Sequence, residues 1–236
     1  MRLLSFDAVE ALAEAAADRV AAAVRGRREP TLALPTGRTA VPLYDALAHR
    51  HAAGTIDLSR ARGFNLDELL LPAGSPASFR AFMERHAWGR TGFDPRRCDI
   101  PDSGATDPEA ECGRYDRVLA AAGPLDLAIL GIGADGHVGY NLPGPPHERT
   151  HVVQVPGAVA DGLGVPAAER PLRAITMGFG PLRAARRLLL LAIGPAKRRA
   201  VRALVDGPAD PRWPASLLRD HPEFDVLVTR DAMGEP

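Results

Sequence analysis

Residues 126–137 read DLAILGIGADGH, and this stretch decides the fold that the sequence predicts. After Asp126 the segment is apolar as far as Ile132, which predicts a buried strand. A glycine-rich loop follows the strand directly and ends in Asp135-Gly136-His137. In open α/β sheets, ligands bind beyond the carboxyl ends of the strands. We therefore look for chemistry first in this loop.

Similar apolar runs and helical patterns alternate along the rest of the chain. Further strands are predicted at 31–34, 61–65, 174–177, 188–193 and 225–229. Helices are predicted at 7–25, 39–51, 75–88, 108–121 and 195–204, with Thr39, Ser75 and Pro195 at three of the starts. This alternation is typical of a mostly parallel sheet with helices on both faces. We expect an α/β, Rossmann-like fold in one domain spanning residues 1–236.

The composition is that of an ordinary globular protein, with 46% hydrophobic and 25% charged residues. The 29 basic residues are balanced by 29 acidic ones, so no nucleic-acid partner is predicted. No apolar run approaches the ~18 residues of a membrane span, and no signal peptide is predicted. Cys98 and Cys112 are too few for a disulfide framework, so we expect free thiols in the cytoplasm.

Two strand-to-helix turns are candidate phosphate-binding segments. In the first, Thr36, Gly37, Arg38 and Thr39 combine a glycine that admits close approach, hydroxyl donors and a guanidinium with a helix N-terminus. By itself this segment is a weak signal, and a plain strand-to-helix turn is the alternative interpretation. The second places Lys197 in a helical first turn. Of the 29 basic residues it is the one lysine, which favours a position where a compact ammonium is wanted, although chance retention explains it as well. Together the two segments would form a two-sided clamp.

Adjacent carboxylates follow the strand at 61–65. Asp67 and Glu68 point in different directions, so one can face a cleft while the other is structural. A carboxylate poised over a carbonyl carbon can move a proton between neighbouring carbons. A helix-capping or solvated acidic pair is the alternative interpretation.

The glycine-rich loop at 131–141 carries the third candidate group. Glycines that include Gly133 and Gly136 leave room for a substrate, and Asp135 lies close enough in sequence to orient His137. A histidine titrates near neutral pH and can move protons on ring oxygens. The loop is a poor dinucleotide fingerprint, because no helix or ribose-binding acid follows at the required spacing. No further His or Asp has metal-ligand spacing, so no metal is predicted.

In this order, across residues 30–231, these segments resemble the glucosamine-6-phosphate deaminase family, within the wider sugar-phosphate isomerase and 6-phosphogluconolactonase superfamily. The matching motifs are PTG at 35–37 with Thr39, FNLDE at 64–68, SFRAFMERH at 78–86, DGH at 135–137 with Asn141, ITMG at 175–178, GPAK at 194–197, and PAS at 214–216 with Leu218 and His221. The FN-x-DE and FM segments lean towards the deaminases rather than the lactonases.

The resemblance implies roles for these residues. His137 would open the sugar ring, Asp67 would move the proton between C2 and C1, and Asp135 would position His137. The 6-phosphate would be held by Lys197 and residues 36–39. The remaining substrate contacts would come from Glu68, Gly133, Gly136 and Asn141. The product would be a ketose phosphate with release of ammonia, and no cofactor is required. A homo-oligomer is compatible with the family.

Departures from the family pattern leave two alternatives open. Leu142 stands where the deaminases carry a glutamate that completes the histidine relay, and Glu148 is a nearby candidate to replace it. In the segment that follows, family members carry basic residues for phosphate and allosteric-ligand binding, and such residues are not evident at 151–164. Arg38 could supply the missing phosphate contact. Arg219 replaces a glutamine.

A sugar-phosphate lactonase needs no glutamate after Asn141. A non-catalytic sugar-phosphate sensor or a diverged biosynthetic isomerase is the second alternative. Residues 142–171 would form a lid or a long surface connection.

Overall fold

The computed structural model describes residues 1–163, 165 and 167–234 of the chain. Its strands are β1 Arg2–Phe6, β2 Thr31–Leu34, β3 Arg62–Asn65, β4 Asp67–Leu70, β5 Cys98–Asp99, β6 Leu127–Gly131, β7 His151–Gln154, β8 Arg173–Thr176, β9 Leu188–Ala192 and β10 Phe224–Thr229. Seven of these strands form one sheet in the order β1-β10-β9-β6-β2-β3-β5, and every neighbouring pair in it is parallel. The predicted parallel α/β sheet is thus confirmed.

The strand predicted at 126–132 lies at the centre of this sheet. β6 pairs with β2 on one side and with β9 on the other. Its side chains alternate between two apolar cores: Leu127 and Ile129 join one core, and Ala128 and Leu130 join the other. Burial on both faces explains why the strand is an unbroken apolar run rather than an alternating one.

Helices cover both faces, as predicted. They are α1 Val9–Val24, α2 Val41–Ala52, α3 Phe79–His86, α4 Pro108–Ala122, α5 Gly157–Gly162, α6 Phe179–Ala184, α7 Arg198–Val205 and α8 Arg230–Met233. The first core receives buried side chains of α1, α2 and α3, and the second receives those of α4, α6, α7 and α8. Each amphipathic helix thereby buries its apolar stripe against one face of the sheet.

A second, separate sheet was not predicted. β4, β8 and β7 form a separate antiparallel sheet, so the strand predicted at 174–177 lies outside the main sheet. Only Leu66 separates β3 from β4, and the chain changes sheets there. Strands β1 and β7 were not predicted, because most of their side chains are only partly buried and their sequences lack an apolar run.

Two predicted helix starts are wrong. Thr39 does not cap α2, which begins after Ala40 without a side-chain cap, because a turn closed by the Ala40 N–H and the Gly37 carbonyl precedes the helix. In α3 the cap is Ser78 rather than Ser75, and its hydroxyl accepts a hydrogen bond from the Ala81 amide at 3.1 Å. Pro195 begins a 3-10 turn that leads into α7.

Residues 142–171 include β7, α5 and a short 3-10 turn at Ala167–Glu169, so the described part of this stretch is not a plain loop. Cys98 and Cys112 are both free. Across the described residues, no helix is both long and apolar enough to cross a membrane.

Candidate active site

Three loops meet over the middle of the main sheet, where the parallel strands β2, β6 and β9 end side by side. The walls of one cavity of about 530 Å³ are formed in part by residues from these loops, namely 35–39, 131–133, His137, Ile193, Ala196 and Lys197. Among the predicted site residues, the cavity is lined by Thr36, Gly37, Arg38, Thr39, Asp67, Gly133, His137 and Lys197. Residues far apart in the sequence meet here because the carboxyl ends of parallel strands share one edge.

Asp135 and His137 form a pair within the loop after β6. The Nδ1 atom of His137 lies 2.7 Å from Oδ1 of Asp135, which also accepts the His137 amide at 3.2 Å. A carboxylate can only accept, so Nδ1 carries the hydrogen and Nε2 is free to exchange a proton. Partial burial is the largest single influence and opposes ionisation of Asp135, but the hydrogen bonds and the charge of His137 together outweigh it and lower the pKa of this carboxyl.

Gly133 makes room for this pair. A Cβ placed on Gly133 would lie far inside contact distance of Nδ1 and Cε1 of His137, and 2.5 Å from Oδ1 of Asp135. Real Cβ atoms do not approach other atoms so closely. The glycine at this position therefore permits the carboxylate and the imidazole to fold back over the backbone.

Asp67 faces the same cavity from the start of β4. The residue is 5% exposed, and its Oδ1 atom makes no hydrogen bond with the described residues. Burial, reinforced by the negative charge of Glu68, raises the pKa of Asp67 to about 8. An unpaired buried carboxyl is costly to a fold, and a pKa close to neutrality is what a general base requires.

Glu68 points away from the cavity, so it is not brought among the substrate contacts where the resemblance had placed it. Its carboxylate accepts hydrogen bonds from the amides of Leu69 and Phe79 at 2.7 Å and of Arg80 at 2.8 Å. Burial raises the pKa of Glu68, and these three hydrogen bonds oppose that rise. The prediction that one carboxylate faces a cleft while its neighbour is structural therefore agrees with the structure.

A cationic side of the cavity lies at the turns after β2 and β9. Gly37 has a φ of +93°, a conformation that side chains rarely adopt, so the turn depends on glycine. Lys197 is half-buried; burial and the nearby charge of Arg38 lower its pKa, and Asp135 opposes this effect. Within the described part of the chain, neither Arg38 nor Lys197 forms a salt bridge. Both cations are available to an anion.

Two other predicted residues shape the loop from behind. Asn141 donates its amide hydrogens to the carbonyls of Val138 at 3.0 Å and Met177 at 2.8 Å. Gly136 has a φ of +86°, and its carbonyl accepts the Ala215 amide at 2.8 Å. Neither residue is among those that line the cavity, so the structure does not bring them into the predicted contact with substrate.

Neither Leu142 nor Glu148 supplies a further acid beside His137. Leu142 packs against the apolar core on the α1 side of the sheet. The Glu148 carboxylate forms an ion pair with Arg183. Glu148 and Gly180 line a different surface depression, separate from the cavity that contains His137. The hypothesis that Glu148 replaces the missing glutamate is therefore wrong for this structure.

Sequence reasoning missed several residues of the cavity. They are Val9, Pro42, Phe79, Tyr140, Val159 and Leu163. Tyr140 lies in the glycine-rich loop at 131–141, and Phe79 lies in the SFRAFMERH segment at 78–86. A search for aromatic side chains within these two motifs would have found both. Pro42 lies at the start of α2, shortly after Thr39, but belongs to no motif. Val9, Val159 and Leu163 come from segments that are far away in sequence and carry no motif.

The fold and the site together define a class of enzyme. An imidazole–carboxylate pair lies in one cavity with a carboxyl and two cations that have no partner among the described residues, which suits proton transfer on a small anionic substrate. The sequence profile described as "Glucosamine-6-phosphate isomerases/6-phosphogluconolactonase" matches residues 5–227. The chain belongs to this family.

Known proteins agree with this assignment. A glucosamine-6-phosphate deaminase from Pseudarthrobacter chlorophenolicus is 39% identical over 222 residues, which cover 92% of this chain and 85% of that protein. The solved structure of a monomeric glucosamine-6-phosphate deaminase superposes with a TM-score of 0.94, at 32% identity and with 100% of both chains covered. A 6-phosphogluconolactonase from Thermotoga maritima superposes with a TM-score of 0.76 at 22% identity, covering 97% of this chain and 98% of the other, and so shares the fold.

Proposed function

We propose that this chain converts an amino-sugar phosphate, glucosamine 6-phosphate or a close relative, to the corresponding ketose phosphate with release of ammonia. The observation that carries the proposal is the cavity in which Asp67, unpaired and with a pKa of about 8, lies together with His137 and Lys197. The deaminases that are similar to this chain at 32% and 39% identity support the same reaction.

In the proposed mechanism the residues act in sequence. Nε2 of His137 moves the proton that opens the sugar ring and yields the free aldehyde. The Asp67 carboxylate takes the proton from C2, which produces an enolamine, and returns it to C1. The resulting imine at C2 adds water and releases ammonia, so that one water is consumed for each ammonia formed. Lys197, Arg38 and the amides of residues 37–39 hold the phosphate and fix the reacting carbons over Asp67.

The decisive assay incubates the protein with glucosamine 6-phosphate and measures ammonia and fructose 6-phosphate in parallel. Equal amounts of both products are expected, and the His137→Ala variant is expected to form neither. Hydrolysis of 6-phosphogluconolactone that depends on His137, with no ammonia from any 2-amino sugar phosphate, would instead assign the lactonase activity that Leu142 favours. Saturable binding of hexose phosphates without turnover would assign a sensor.

One domain, a cytoplasmic location and a homo-oligomer stay predictions from the sequence.

Lys197→Met is expected to raise KM by about 10–100-fold with kcat changed only a few-fold, because a charge-assisted contact contributes roughly 1.5–3 kcal/mol. Lys197→Arg should recover part of the loss, since it keeps the charge. Arg96→Met is the control: it removes one positive charge from a side chain that is 89% exposed and paired with Asp94. An unchanged KM in Lys197→Met would remove this lysine from the phosphate site.

The pH dependence of kcat/KM is expected to follow Asp67, since the free enzyme's base is reported by this ratio. Only the ionised carboxylate can accept the C2 proton, so kcat/KM should rise with pH and level off above a pKa of about 8. The titration of the substrate amine is measured separately by NMR and subtracted. A corrected profile that is already level below pH 6 would show that Asp67 is not the base.

A further inference from the structure

His137 is the outermost of three aromatic rings that lie nearly parallel beside the cavity. Its ring centroid is 6.2 Å from that of Tyr140, with 15° between the planes. The ring centroids of Tyr140 and Phe79 are 6.1 Å apart, with 7° between the two ring planes. These are offset-parallel arrangements within the distances at which aromatic rings attract one another. Tyr140 is 5% exposed and Phe79 is 7% exposed, so packing holds both rings.

The innermost ring is held by Glu68. This buried carboxylate accepts the backbone amides of Phe79 and Arg80, which are the first two residues of α3. An acidic group bound to the unpaired amides of a first helical turn fixes the position of that turn. The Phe79 ring is therefore located by a charged contact rather than by apolar packing alone.

The Tyr140 backbone is held as well. Its amide donates to the Thr176 hydroxyl at 3.0 Å, which ties the loop to β8 of the second sheet. The middle ring is thus attached to the antiparallel sheet, and the inner ring to the helix that Glu68 anchors.

The hydrogen bond to Asp135 leaves the His137 ring free to tilt. This hydrogen bond fixes one nitrogen of the His137 ring. The Asp135 side chain that accepts it is 46% exposed, so water competes for the hydrogen bond. Leu142 provides no second polar contact. A flat buried surface against one face of the imidazole restricts the remaining rotation.

We propose that Glu68, Phe79 and Tyr140 are positioning residues that set the plane of the His137 ring, and that the aromatic stack takes over orientation that a further acid would otherwise provide. The kinetic part of this proposal rests on the proposed function. The orientation of the ring does not, and it is measured separately.

The main variants are Tyr140→Leu and Phe79→Leu, with Tyr140→Phe as the conservative rescue and Phe82→Leu as the matched control. Phe82 is on the same helix, but its ring lies against His86, 4.6 Å away, outside the stack. A displaced catalytic group of this kind lowers kcat by about 10–100-fold. We expect that loss in Tyr140→Leu, a smaller loss in Phe79→Leu, KM within about threefold in both, and recovery of most of kcat in Tyr140→Phe.

The second readout is the NMR signal of the His137 ring protons, assigned by its disappearance in His137→Ala. In the wild type, the Tyr140 ring current shifts this signal. The shift should persist in Tyr140→Phe and Phe82→Leu, vanish in Tyr140→Leu and decrease in Phe79→Leu and Glu68→Gln. If no substrate is turned over, the proposed function fails and this signal alone decides the proposal.

Three results would overturn it. One is an unshifted His137 signal in the wild type. Another is an unchanged signal and kcat in folded Tyr140→Leu. The third is a Tyr140→Phe variant as impaired as Tyr140→Leu, which would assign the effect to the hydroxyl. Should Tyr140→Leu fail to fold, Phe79→Leu and Glu68→Gln carry the same test through the inner ring.

Discussion

Asp67→Asn is expected to lower kcat/KM by about a thousandfold, within the roughly 10²–10⁴-fold range of general base catalysis, while it raises the free energy of unfolding at alkaline pH. The loss of activity follows because an amide cannot accept the C2 proton. The gain in stability follows because the Oδ1 atom of Asp67 has no hydrogen-bond partner among the residues that the structure describes. Functional sites often retain a destabilising group of this kind.

The pH window of the stability effect follows from the two pKa values. The unfolded carboxyl titrates near about 4, and the folded one titrates near about 8. Between these values the folded state binds the proton more tightly, so the contribution of Asp67 to stability is largest in acid and declines as pH rises to about 8. The variant should match the wild type near pH 4 and exceed it above pH 8, by at most about 5 kcal/mol.

Urea unfolding at pH 5 and pH 9 measures this difference. Asp225→Asn is the matched control, because Asp225 is equally buried but pairs with Arg2 at 2.7 Å and Arg19 at 3.2 Å. Its loss should destabilise the protein, the opposite sign. Equal stability of Asp67→Asn and the wild type at pH 9 would show that the Asp67 charge is compensated in the folded state.

Gly133→Ala is expected to lower kcat by about 100-fold with little change in stability. The new methyl group would occupy the space of the His137 ring and lie 2.5 Å from Oδ1 of Asp135. Because the φ of Gly133 lies outside the left-handed region, the backbone tolerates alanine, and the side chains must move instead. Misplacement of a catalytic group by about 1 Å costs a factor of this size.

The displaced side chains are partly exposed, His137 to 23% and Asp135 to 46%, so their movement leaves the core intact. Thermal unfolding should therefore shift by only a few degrees, roughly what 1 kcal/mol produces. Gly113→Ala on α4 is the control, since its Cβ would meet only the Arg117 guanidinium, at 3.5 Å. A kcat within about threefold of wild type in Gly133→Ala would mean that the Asp135–His137 pair is not needed.

The main sheet was predictable where strands are buried on both faces, since such strands are apolar throughout and recognisable without partners. β6 and β9 are of this type. Strand β7 is only partly buried, and its sequence carries no comparable signal. The second sheet escaped prediction because strand pairing depends on which segments meet in space, and Leu66 gives no sign of the change of sheet.

By itself, the sequence determined the α/β class and led to Asp67, His137 and Lys197 as candidate site residues, because apolar periodicity and the positions of these residues after strands are local properties. Only the tertiary structure decided which atoms these groups face. It directs the Glu68 carboxylate to the first turn of α3, leaves Oδ1 of Asp67 without a partner among the described residues, and stacks Tyr140 between Phe79 and His137. Side-chain direction, burial and partners depend on contacts between residues far apart in the chain, and such contacts have no signature in any single segment.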